Sequence, residues 1–124
     1  MKYTRITSCL AATIVAAALG SANSLAEPDC TAAAIQKIAP GDTVIDSAEG
    51  LAQPVSHCRI DGHIITRNPG PNRVNFRLQL PDKNWSGRYY FIGLGGSAGY
   101  VPTDSQIPAG NPLLAGFAVA GTDT

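Results

Sequence analysis

The chain has little charge, few cysteines and no long apolar run, and each shortage removes a class of protein. Charged residues make up 15% and the formal net charge is zero, so there is no basic surface for nucleic acid and no case for a disordered chain. The apolar run Cys9 to Leu19 (CLAATIVAAAL) follows Lys2 and Arg5 and is too short to span a bilayer comfortably. It has the form of a secretory leader, and Ser24-Leu25-Ala26 supplies the small residues of a cleavage site. Residues 1–26 are therefore expected to be a signal peptide, with Ala22 a second candidate end. The mature chain is expected to be secreted or periplasmic, with no membrane association after cleavage and no nucleic-acid partner. Ile6-Thr7-Ser8-Cys9 looks like a lipoprotein box, but its cysteine precedes the apolar run instead of following it.

Only Cys30 and Cys58 remain after such a cleavage. In an oxidising compartment they either pair, closing a loop of about 28 residues, or wait for cysteines outside this chain. With His57 and His63 they lack the spacing of a zinc site, and no metal is expected. Repeats are absent, as is low complexity beyond the leader.

Thr31 to Ile38 combines a capping residue, strong helix formers and a following Pro40-Gly41, which predicts one short helix. Gly41 to Pro54 alternates only weakly, so a short strand at Thr43-Val44-Ile45 inside an irregular loop is expected. Cys58 to Arg67 and Arg73 to Leu80 flank the turn cluster Asn68-Pro69-Gly70-Pro71-Asn72. Val74, Phe76, Leu78 and Leu80 alternate with Arg73, Asn75, Arg77 and Gln79, the period of a half-buried strand. These two runs predict an antiparallel hairpin. Arg73 and Arg77 fall on one face, either as an anion site or as a solvated sheet face. Arg88 to Leu94 is apolar on both faces, as for a strand covered by other layers. Asn111-Pro112 with Gly116 predicts a capped short helix, and Phe117 to Gly121 a second apolar strand. This order suggests the opening of a larger α/β sheet.

Between those strands lies Gly95-Gly96-Ser97-Ala98-Gly99, literally the G-x-S-x-G of a nucleophile elbow. Such an elbow needs a helix directly after the serine, and Val101-Pro102 and Ile107-Pro108 break the segment that follows. Both histidines also precede Ser97, against the serine, acid, histidine order of α/β-hydrolases. Two other uses remain: a turn needing positive φ, or a loop whose backbone N–H groups meet a developing oxyanion. A phosphate loop is disfavoured, since its Lys-Ser/Thr pair is missing.

Leu80-Pro81 followed by Trp85-Ser86-Gly87-Arg88, then Gly93 to Gly99, then Gly116-Phe117-Ala118-Val119-Ala120-Gly121-Thr122-Asp123-Thr124 closely resembles the tannase and feruloyl esterase family. Its members show LP-x-x-W-N-G-R, a GGGG-x-x-G-like loop and G-[YF]-A-x-x-x-T-D-T-G-H in this order, and Cys58-Arg59-Ile60 resembles the family's C-R-V stretch. The likeness covers roughly residues 30 to 124. Ser86 stands where asparagine is usual, and Leu94 where glycine or asparagine is frequent. The resemblance implies a secreted α/β-hydrolase with a large lid that cleaves esters of phenolic or aromatic acids through a Ser-His-Asp triad. In the family the nucleophile lies in a C-S-x-G-G elbow after the T-D-T-G-H segment, the acid and histidine come later, a disulfide joins cysteines beside the nucleophile and the histidine, and the lid binds calcium.

None of those residues is present here. The resemblance therefore implies that residues 27–124 are the N-terminal portion of such a catalytic domain, a fragment or truncated product with an incomplete sheet, no cofactor of its own and no activity alone. What carries over is the Gly95-Gly96-Ser97 backbone as an oxyanion loop, with Gly96 the preferred donor. Trp85 and Arg88 are expected to lock a turn, and Asp123 to act structurally instead of as a triad acid. The rival is a small secreted disulfide-linked binding or structural domain in which the loop only turns.

Overall fold

The computed structural model describes residues 29–96, 99–106 and 110–124, so the expected leader lies outside the described residues. Helix α1 (Ala32–Ile38) begins where Thr31, in extended backbone, accepts a bond at Oγ1 from the Ala34 amide at 3.3 Å, and it stops short of Pro40. Five strands follow: β1 (Thr43–Leu51), β2 (His57–Thr66), β3 (Asn72–Pro81), β4 (Tyr89–Ile92) and β5 (Ala118–Thr122). They form one mixed sheet in the order β1-β2-β3-β5-β4, antiparallel except for the parallel pair β4 and β5. The mixed sheet with a short helix is compatible with an α/β fold.

The predicted hairpin is β2 and β3, paired from His57 opposite Pro81 to Thr66 opposite Asn72. β1 is longer than the sequence suggested. Its register shifts between Ile45 and Ser47, and the bulge breaks the alternation that would have marked the strand.

Side chains of alternate residues separate the two faces of the sheet. On the first, Cys58 and Ile60 of β2 pack with Ile35 of α1 and with Phe76, Leu78 and Leu80 of β3. A disulfide joins Cys30 to Cys58, and Gln36 ties the helix to β1 by donating to the Thr43 carbonyl at 2.9 Å and accepting from the Ile45 amide at 2.8 Å. α1 covers only the β1–β3 side of this face. Tyr89 and Phe91 of β4 stay 59% and 51% exposed, so β4 is not covered on both faces among the described residues. The expectation was a strand covered by other layers; among the described residues only the Tyr90 and Ile92 face is covered.

On the second face Ile92, Leu113 and Val119 form a core with Val55, Tyr90 and Phe117. The rest of that face is polar. Arg77 donates to Asp61 at 2.8 Å, Arg59 pairs with Glu49, and Arg73 and His63 both reach Asp46, at 3.2 and 2.9 Å. Arg73 and Arg77 thus share a face and are each paired with a carboxylate, which favours the solvated face over an anion site.

Candidate functional site

Tyr89 to Ile92 delivers the chain to Gly93 at the carboxyl end of a strand with a parallel neighbour, the position where open α/β sheets bind ligands. Gly96 has φ +71° and Gly99 φ +59°, backbone that L side chains seldom adopt. A methyl group placed at Gly93, Gly95 or Gly96 would find no atom of the described residues within 4 Å. The positive φ accounts for glycine at 96. Neither φ nor crowding accounts for it at 93 and 95. Ser97, the third residue of the expected oxyanion loop, lies outside the described residues.

After the loop the chain returns over the second face. Pro102 is buried against β5, and a 3₁₀ turn, Asp104–Gln106, follows. Asp104 accepts a hydrogen bond from Gln79 of β3 at 2.5 Å. A second 3₁₀ turn, Pro112–Ala115, has Asn111 as its cap and ends at Gly116 in the left-handed region, as the cap, proline and glycine predicted.

The Trp85 to Arg88 stretch serves that same junction. The Ser86 amide and hydroxyl both donate to the Gly116 carbonyl, at 2.9 and 3.1 Å, and the Ala118 amide donates to the Arg88 carbonyl at 3.0 Å. Trp85 Nε1 donates to that same Arg88 carbonyl at 3.3 Å, and the Arg88 guanidinium lies 5.8 Å from the centre of the Phe117 ring. Two motifs far apart in sequence are therefore one turn against one strand entry. An apolar groove of about 490 Å³ lined by Trp85, Leu80 and Ile35 lies nearby, on the sheet face opposite Pro102 and Asp104.

Residues 58–124 match the family model described as tannase and feruloyl esterase. The chain belongs to the tannase and feruloyl esterase family. No curated protein and no solved structure matches it. Membership makes the chain part of a group of carboxylic ester hydrolases, and the other groups that a hydrolase would use can be placed against that. His57 is 1% exposed and its Nδ1 lies 2.7 Å from the Val55 carbonyl, which makes that nitrogen the donor and leaves Nε2 buried without a partner among the described residues. His63 is turned to Asp46. Both belong to the sheet's polar face.

Asp123 is occupied as well. Its two carboxylate oxygens accept from the Asn75 amide at 2.9 Å and from Asn75 Nδ2 at 2.6 Å, while its own amide donates to the Asn75 carbonyl at 3.2 Å. The aspartate of the T-D-T stretch thus extends the β3–β5 ladder past its last paired strand residue. Asp123→Ala is expected to cost about 1–3 kcal/mol, read as a lower urea midpoint with an unchanged slope. An unaltered midpoint would contradict this structural role.

The loop's glycines were visible in the sequence, and so was the Trp85 turn. Gln79 and Asp104 were not marked as a pair. Gln79 looked like one more polar residue on an alternating strand, and only its 2% exposure distinguishes it.

Proposed function

We propose that this chain carries the oxyanion loop of a secreted serine esterase acting on esters of phenolic or aromatic acids, with the Gly96 amide as its principal donor. Attack on an ester carbonyl turns its oxygen into an alkoxide-like centre. A fixed N–H aimed at that oxygen stabilises the transition state more than the substrate, because the charge develops only there. The observation that carries this reading is the exposed Gly95 and Gly96, with open space at the Cβ position of each among the described residues, at the carboxyl end of β4. Glycine at 95 has no conformational or packing reason within the described residues, whereas close approach of a substrate to the main chain requires one.

The nucleophile, acid and histidine belong, in this reading, to residues beyond these 124. His57 and His63 are held by Val55 and Asp46, and the chain has no C-S-x-G-G sequence. Secretion is supported by the leader-like residues 1–26 and by the Cys30–Cys58 disulfide, a bond that persists in oxidising compartments.

The purified chain is expected to hydrolyse p-nitrophenyl and feruloyl esters no faster than buffer. Turnover abolished by Ser97→Ala would overturn that division of labour. Joined to a downstream segment bearing the C-S-x-G-G motif, the chain is expected to turn over feruloyl esters. There Gly96→Ala should lower kcat about 10²-fold, since the side chain displaces the strained backbone and the donor with it. An unchanged kcat would remove Gly96 from the oxyanion site.

A further inference from the structure

The limb that follows the glycine-rich loop is fastened to the sheet at two points, and both lie at the loop's own root. Gly121 of β5 is the register partner of Ile92, the last strand residue before the loop. A methyl group at Gly121 would lie 2.6 Å from Pro102 Cγ and 3.4 Å from the Ile92 carbonyl oxygen. The chain thus departs and returns beside one residue, the neck of an Ω-type loop. Gly121 has no positive φ among the described backbone, so the seat of Pro102 is what calls for glycine there.

Just past this neck stands the Gln79–Asp104 bond. Arg73, Asn75 and Arg77, on the same face of β3, pair with Asp46, Asp123 and Asp61 at the sheet. Gln79 instead reaches out of the sheet to the loop's return limb, from a side chain only 2% exposed. Among the described residues its Oε1 is buried without a partner, an arrangement that is poor for stability, since a buried acceptor left unpaired forfeits its hydration. Its benefit lies in fixing one geometry. Within the limb, Gln106 accepts from the Thr103 amide at 2.8 Å and donates to the Tyr100 hydroxyl at 2.8 Å, so the returning segment is braced internally.

We propose that Gln79 and Asp104 are positioning residues: with Pro102 seated on Gly121 they close the neck of the glycine-rich loop and hold the Gly95 and Gly96 amides in one orientation. The function of that orientation rests on the oxyanion reading above. The clamp explains how a loop whose Gly95 and Gly96 are exposed keeps its donors aimed, which preorganised catalysis requires.

The test is {1H}-15N relaxation on the 15N-labelled chain. Gln79→Leu and Asp104→Ala are each expected to lower the order parameters of Gly95 and Gly96 from about 0.85 to below about 0.6, with Ile60 and Leu78 unchanged. Asp104→Asn should restore rigidity, because its amide oxygen still accepts from Gln79 Nε2. Unchanged order at both glycines in both variants, or an equal loss at Ile60 and Leu78, would overturn the clamp. Should Gln79→Leu fail to fold, the Asp104→Ala and Asp104→Asn pair decides alone, since Asp104 is exposed. No turnover enters these measurements: they judge the clamp, and the Gly96→Ala kcat judges the oxyanion reading.

Discussion

Gly116→Ala is expected to destabilise the fold by about 3 kcal/mol, lowering the thermal midpoint by roughly 15 °C for a domain of this size. Two costs add. The residue sits at φ +75°, which costs a non-glycine residue about 1–2 kcal/mol. The added Cβ would also lie 2.3 Å from the Asn84 carbonyl oxygen, a backbone atom that cannot rotate away, and relief of such overpacking costs about 1–3 kcal/mol. Asn84 is itself at φ +59°, so the turn it belongs to has little freedom to retreat. Gly116→Asn separates the two causes, because asparagine tolerates left-handed backbone yet brings the same Cβ. A smaller loss, about 1–3 kcal/mol from the clash alone, is expected for it, measured by circular dichroism melts. Wild-type stability in the asparagine variant would show that the clash is absent.

How much of this junction could be seen in the sequence depends on what holds each part. Asn111, Pro112 and Gly116 act locally, so their pattern marked the short turn. The partner of Gly116 is Asn84, a contact across sequence that no local pattern encodes. The same distinction runs through the sheet. β3 alternates cleanly because one side meets α1 and Cys58 and the other carries Arg73, Arg77 and Gln79. β1 lies at an edge, with Glu49 and Gly50 exposed and a bulge at Asp46, and its pairing with β2 extends it to Leu51 against weak intrinsic preference. For the candidate site, the glycines announced a loop and the motifs announced a family. The fastening at Gln79 and Gly121 required knowing that β5 lies beside β3.

Removing the Cys30–Cys58 bond by the Cys30→Ala, Cys58→Ala double substitution is expected to cost about 3.5 kcal/mol. The bond closes 28 residues, and the chain-entropy estimate for a loop of that length gives this figure. Against a typical total of about 5–15 kcal/mol, the loss is large. It should also be uneven. Ile35 is the residue by which α1 enters the first-face core, and it packs against Cys58 itself. Loosening that end weakens both the helix and the cover over Ile60. Urea titration should therefore show a lower midpoint, and hydrogen exchange should rise most at α1 and in β1 near Ile45, where Gln36 makes its two bonds. The second face, built on Leu113 and Val119, should be affected less. Equal midpoints for the oxidised wild type and the double variant would contradict the assignment of this bond as a main support of the helix.

The strand order gives assembly a direction in time. β1, β2 and β3 form successive antiparallel neighbours, so each can add to its predecessor as it is made. β4 has β5 as its only strand neighbour among the described residues, and β5 is also what joins it to β3. The earlier strand must therefore wait for the later one. During synthesis Tyr89 to Ile92 leaves the ribosome without a place in the sheet, and Tyr90 and Ile92 have no core to enter until Ala118 to Thr122 follows, an interval in which a chaperone has something to hold. β5 is the keystone of this arch, and the glycine loop acquires a fixed root only when it is set.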